Sequence, residues 1–340
     1  MLWDGLWAGR NSMASAAGKW LACLVLAGAA WGQSCLTGED LEGPARAGLE
    51  AAARKYFELA VKGDVAGLQG SAIPSVAEAF SGIAAAVREN QPSFSKAQMA
   101  VRATYLLTAQ GDTPLERAEF LCGVFGKSGQ TASSAVFVLN GLPPGRYGLV
   151  ILDATGDGER YATSFVLQDV SGDWKLGGFY VKPVLSAGHD SGWFAERGRA
   201  FAAKGQSHNA WFYLLQARNL ATLVPFMSTR ETDRLYDEAQ KVASADAPEG
   251  FPAELAGVGK VYKIKSAFAY GVAGEVNLVV KYEYADVSDT VKTYAENQAM
   301  AKALVTKWPE LREGFGAIVA RATEVSGKDF GTLVELKGLK

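Results

Sequence analysis

Between Ala45 and Gln69 the apolar residues Leu49, Ala52, Ala53, Tyr56, Phe57, Ala60 and Val61 recur at three- and four-residue spacing, which predicts one amphipathic helix. A second helix is expected from Pro74 to Glu89, with the proline in the first turn and Val76, Phe80, Ile83 and Val87 on one face. After Pro92 the period changes from helical to alternating. Strands are predicted over Met99–Thr108, Arg117–Val124, Ser133–Leu139, Arg146–Asp153, Arg160–Asp169 and Asp173–Lys182, separated by Gly-rich or Pro-Gly turns. Two helices therefore precede a meandering or curved sheet.

Helical spacing returns after Ser186–Asp190. Phe194, Gly198, Phe201, Gly205, Ala210, Leu214 and Ala217 lie at the positions of a helical hairpin turning near Gly205, and Thr229–Val242 reads as a further helix. Ala243–Pro252 reads as a linker. Beyond it, Val261–Tyr270 and Glu275–Tyr284 alternate as paired strands around Gly271–Gly274, with Val276, Leu278, Val280, Tyr282 and Tyr284 on one face. A helix over Asp289–Lys307, burying Val291, Tyr294, Met300, Ala301, Leu304 and Val305, precedes two last strands at Phe315–Thr323 and Phe330–Leu336. The order ββαββ implies a helix laid on a small antiparallel sheet.

With 340 residues the chain exceeds one typical domain, and its composition is that of a globular protein. The expected class is α+β, divided into a signal peptide at 1–33, an α+β domain at 45–185, a helical connector at 190–243 and a C-terminal ββαββ domain at 255–340. Lys19 followed by the apolar run Trp20–Ala30 has the form of a secretory signal and is shorter than the roughly 20 residues of a membrane span. Cleavage is expected between Ala29 and Ser34, and either Met1 or Met13 serves as the start. Once Cys23 leaves with the signal, Cys35 and Cys122 remain. An oxidising compartment would permit a disulfide between them; the alternatives are a buried free Cys122 and a lipid anchor at Cys35. The expected address is the periplasm or the medium of a bacterium. A net charge of −2 excludes the basic excess of a nucleic-acid binder.

Two segments carry a resemblance. Tyr56-Phe57-Glu58-Leu59-Ala60-Val61-Lys62-Gly63-Asp64, with the strands ending in Phe165–Phe179 around Gly172-Asp173-Trp174-Lys175, resembles the NTF2-like (cystatin-like) superfamily over residues 45–183. The resemblance implies a cone in which a curved antiparallel sheet wraps the helices, with a pocket at the open end. In part of this region Leu142-Pro143-Pro144-Gly145-Arg146-Tyr147 also resembles the turn before a strand in carboxypeptidase-regulatory-like β-sandwiches, a reading that leaves the two helices unexplained. The segment 194–217 is similar to a single tetratricopeptide-like hairpin, too few units for a binding array.

Catalytic constellations are sparse. His189 and His208, the only histidines, have no nucleophile or metal-ligand motif beside them and read as surface residues. Asp153–Glu159 is similar to the start of a calcium loop, but its twelfth position is Ser164 rather than glutamate, and a hairpin turn is the simpler reading. No cofactor or metal motif is expected. Tyr56, Tyr105, Tyr147, Tyr161, Trp174 and Tyr180 are candidate pocket-lining residues. The first expectation is non-catalytic binding of a small apolar ligand or an envelope protein partner, in the cone or in the crevice against the helical connector. The alternatives are an NTF2-like pocket enzyme using a buried carboxylate, and a structural assembly module.

Overall fold

The structure, a computed structural model, describes residues 33–339 apart from 42, 126–128, 157, 245, 247–251 and 273 and the side chain of Glu39. The segment expected to be a signal peptide, up to residue 32, and both candidate start methionines lie outside the described residues. The first unit opens with strand β1 (Gln33–Thr37) and helices α1 (Gly43–Val61), α2 (Val65–Gly70), α3 (Pro74–Glu78) and α4 (Ser81–Phe94). The single stripe expected over 45–69 is broken after Val61. Gly63 turns left-handed at φ 67°, and the Asp64 carboxylate then caps α2 by accepting from the Gly67 N–H.

Strands β2 (Gln98–Ala109), β3 (Leu115–Cys122), β4 (Ala135–Leu142), β5 (Gly145–Gly156), β6 (Glu159–Val170) and β7 (Asp173–Pro183) follow. They form a five-stranded antiparallel sheet in the order β1-β2-β5-β6-β7, and a three-stranded sheet in which β4 lies between β3 and the later strand β8 (Met227–Thr229). The run Leu149-Val150-Ile151-Leu152 suits a strand covered on both faces. Val150 and Leu152 join Leu106, Phe165 and Leu167 against Leu49, Tyr56, Phe57 and Phe94 of α1 and α4. Leu149 and Ile151 join Tyr105 and Leu107 against Phe120 and Phe137 of the smaller sheet. Cys35 of β1 and Cys122 of β3 are disulfide-bonded, which staples the two sheets at one edge.

The second unit contains α5 (Ser191–Ala203), α6 (Ser207–Ala221), α7 (Arg230–Val242), β9 (Ala253–Gly257), β10 (Lys260–Val272), β11 (Glu275–Glu283), α8 (Thr290–Lys307), α9 (Leu311–Gly314), β12 (Ala317–Thr323) and β13 (Asp329–Glu335). Its sheet has the order β13-β12-β11-β10-β9, and β11 and β12 run parallel. The antiparallel expectation fails at that pair because α8 carries the chain back to the starting end of the sheet, as a helical crossover must.

Two further expectations give way. Val291 and Tyr294 are exposed, at 80% and 48%. The buried stripe of α8 instead begins with the polar Thr293 and Asn297, and Asn297 accepts from the Tyr282 hydroxyl at 2.8 Å while donating to Thr332 Oγ1 at 2.8 Å. Nor are α5–α7 a separate connector. Phe194, Phe201, Phe212, Leu214 and Leu235 share one apolar core with Leu278, Val280, Tyr282, Ile318 and Leu304. A two-helix hairpin exposes too much apolar surface to stand alone, and the C-terminal sheet has one face to cover.

Candidate functional site

The six aromatic residues expected to line one pocket are divided between the two faces of the five-stranded sheet. Tyr56, on α1, and Tyr161 and Trp174, on strands, belong to the core between helices and sheet, where the Tyr56 hydroxyl donates to the Trp174 carbonyl at 2.7 Å and that of Tyr161 to Glu159 at 2.6 Å. Tyr105, Tyr147 and Tyr180 face the other way: Tyr105 meets Phe137 edge-on at 4.9 Å, Tyr180 meets Phe226 at 5.6 Å, and the Tyr147 hydroxyl donates to Pro143. All six are tied into contacts, and of the six Tyr105 lines a crevice beside the sheet.

That crevice, of about 690 Å³, lies between the second face of the large sheet and the start of the helical unit. Its apolar surface comes from Ala103, Tyr105, Ile151, Val184, Leu220, Leu223 and Met227. Polar groups ring it: Arg102 and Arg160 from the sheet, Ser133 from the β3–β4 connection, Asp190 and Ser191 from the start of α5, and Glu231 from the start of α7. The volume falls within the roughly 300–1,000 Å³ of small-molecule sites.

A β-bulge sets the chemistry of the sheet side. The β2–β5 register slips between Val101 and Ala103, so Val101 packs against the helices whereas Ala103 and Tyr105 face the crevice. Arg102 is the extra residue, and the bulge turns its side chain toward the crevice instead of back to the helix layer. Its Nη2 lies 2.5 Å from Asp153 Oδ1. Arg160 sits two residues before Ala162 on the same face of β6, and among the described residues its guanidinium has no ion-pair partner.

The opposite wall is fastened from behind. Lys182 of β7 donates to the carbonyls of Asn219 and Thr222 at the end of α6, the latter at 2.6 Å, and burial pulls its ammonium down to about 8. Ser191 Oγ donates to the Ala217 carbonyl at 2.8 Å. Asp190 caps α5 by accepting from the Trp193 N–H at 3.1 Å, and Thr229 caps α7 in a reciprocal pair with Thr232. Leu220, Ala221 and Leu223 are thereby held in place.

A second cluster corrects the expectation for His208, which is buried at 7% exposure. Its Nδ1 lies 2.5 Å from Glu310 Oε1, and its Nε2 lies 2.9 Å from Asp246 Oδ1 and 3.0 Å from Ser244 Oγ. The indole N–H of Trp308 donates to Asp246 Oδ2 at 2.7 Å. Ser244, His208 and Glu310 thus stand in the order of nucleophile, base and orienting acid. However, Ser244 Oγ donates to Asp246 at 2.8 Å, so its proton is directed to that carboxylate and not to the imidazole. The two ring nitrogens thus each face a carboxylate, Glu310 on one side and Asp246 on the other. The cluster is a clasp holding the segment after α7 against α6 and Trp308. His189 stacks on Trp193 at 3.7 Å.

Of the Asp153–Glu159 run, Asp153–Gly156 ends β5 and Glu159 begins β6, paired with Gly156, while residue 157 lies outside the described residues. Among the described residues no Asp or Glu is buried, and no group of three metal-ligating side chains converges. Apart from Tyr105, the lining of the crevice was not legible in the sequence, because its residues span positions 102 to 231. Comparison with protein-family models, curated proteins and solved structures finds no match.

Proposed function

We propose that this chain is an exported bacterial envelope protein that binds a small, largely apolar ligand without catalysis, in the crevice between its large sheet and its helical unit. The observation that carries the reading is the crevice itself, with an apolar patch and charged and hydroxyl groups around it. Export is supported by the signal-like segment ahead of Gln33 and by the Cys35–Cys122 disulfide, a bond that persists in oxidising compartments.

The NTF2-like reading of residues 45–183 is supported by α1 and α4 lying along one face of the five-stranded antiparallel sheet. On that reading Leu49, Tyr56, Phe57 and Phe94 fill the interior of the cone, which directs the ligand to the opposite face.

The test is titration of the mature protein with N-phenyl-1-naphthylamine, a neutral apolar fluorophore. Saturable enhancement in wild type, lost in Ala103→Phe and Ala221→Phe, is the expected outcome, because both residues line the crevice and a phenyl ring on either would fill it. Equal binding by the wild type and both variants would sink the proposal.

A further inference from the structure

Resting on the crevice reading, we infer that the ligand is an amphiphile with an apolar body and an anionic head group, a long-chain carboxylate, whose head is received at the rim by Arg160 and Arg102. The charges of the rim are unequally engaged. Asp190 is occupied in capping α5, and Glu231 Oε2 accepts from Arg234 at 2.6 Å. Arg102 meets Asp153 through one guanidinium nitrogen, which leaves its other donors for a second acceptor. Arg160 brings a full positive charge with no ion-pair partner among the described residues. The positive side of the rim is the side left to be satisfied.

A second feature reinforces this. The Arg102 bulge, which interrupts an otherwise regular ladder, brings a second guanidinium to the face that carries Arg160. Guanidinium groups receive carboxylates through paired N–H donors, and the apolar floor of Ile151, Val184, Leu220 and Leu223 accepts a methylene chain. A cationic head would meet Arg160, and a neutral one would leave it unpaired.

The experiment titrates wild type with dodecanoate, dodecan-1-ol and dodecyltrimethylammonium below their micellar concentrations, read by displacement of N-phenyl-1-naphthylamine. Dodecanoate is expected to bind about tenfold more tightly than the alcohol, the size of one charge-assisted hydrogen-bonded pair, and the ammonium more weakly than either. Arg160→Gln brings dodecanoate to the level of the alcohol and leaves the alcohol unchanged. Because Arg160 is exposed, circular dichroism of that variant should match wild type. Equal affinity for the three head groups, or an equal loss for dodecanoate and alcohol in Arg160→Gln, overturns the head-group inference while the crevice stands. Failure of all three to displace the probe, or displacement unaffected by Ala103→Phe and Ala221→Phe, overturns the crevice reading itself.

Discussion

His208 and Trp308 are stacked, with ring centroids 4.3 Å apart and planes 24° from parallel, and both bond the same carboxylate, that of Asp246. The Trp308 N–H is the main cause that holds Asp246 down to about 2, with Ser244 and His208 adding to it. A carboxyl whose folded value is depressed stabilises the fold above its unfolded value near 4, and this is lost as pH falls toward 2. Asp246→Asn should therefore flatten the decline of Tm between pH 4 and pH 2. Thermal unfolding by circular dichroism across that range checks it, and an unchanged acid limb would contradict it.

Reduction of the Cys35–Cys122 disulfide frees a loop with a sequence separation of 87. Constraint of so long a loop in the unfolded chain is worth about 2–5 kcal/mol. The Cys35→Ser, Cys122→Ser double variant should show that loss in denaturant unfolding, and reductant should then have no further effect.

Asn297 is fully buried and joins Tyr282 to Phe330 and Thr332 across the C-terminal sheet. Asn297→Ala leaves the Tyr282 hydroxyl and the partners on β13 without a bond in a dry core, at a cost of about 3 kcal/mol. Tyr282→Phe should cost less, because the Asn297 amide keeps its two remaining acceptors. Urea titrations of both variants decide the order.

Burial pushes the phenols of Tyr105 and Tyr213 up to about 12. A raised folded value stabilises below the unfolded value near 10 and is lost as pH rises toward 12. Absorbance at 295 nm should show these two tyrosines ionising together with loss of the fold. Tyr213→Phe should make the alkaline decline shallower.

Gly271 ends the regular part of β10 against the loop after β7, where its N–H donates to Ser186 Oγ at 2.7 Å. A Cβ there would meet the Ala187 backbone nitrogen at 2.2 Å. Since backbone yields little, Gly271→Ala should cost about 1–3 kcal/mol in denaturant unfolding.

Strands β2 to β7 were legible from apolar patterning between turn signals, as alternation in β3 and as a continuous run in β5. The short β1 and β8 carry no such pattern and exist because β2 and β4 offer open edges. Val291 and Tyr294 misled because an apolar count ignores Thr293 and Asn297, polar residues that enter a core once every donor and acceptor finds a partner. Arg102 was invisible as a site residue, since a bulge depends on the partner strand. His208 looked like a surface residue because its carboxylates lie 38 and 102 positions away.

Thr229 is at once the last residue of β8, paired with Ala135, and the cap of α7. No spacer separates the strand sewn into the first unit from the helix whose Leu235 and Ala239 lie in the core of the second. Hinge-like opening of the two units would tear the ladder between β4 and β8 before it widened the crevice. The crevice therefore behaves as a slot of fixed width. The side chains bordering it that remain free to move are exposed ones such as Arg160 and Glu231, whose rotamer changes fall on the picosecond-to-nanosecond scale.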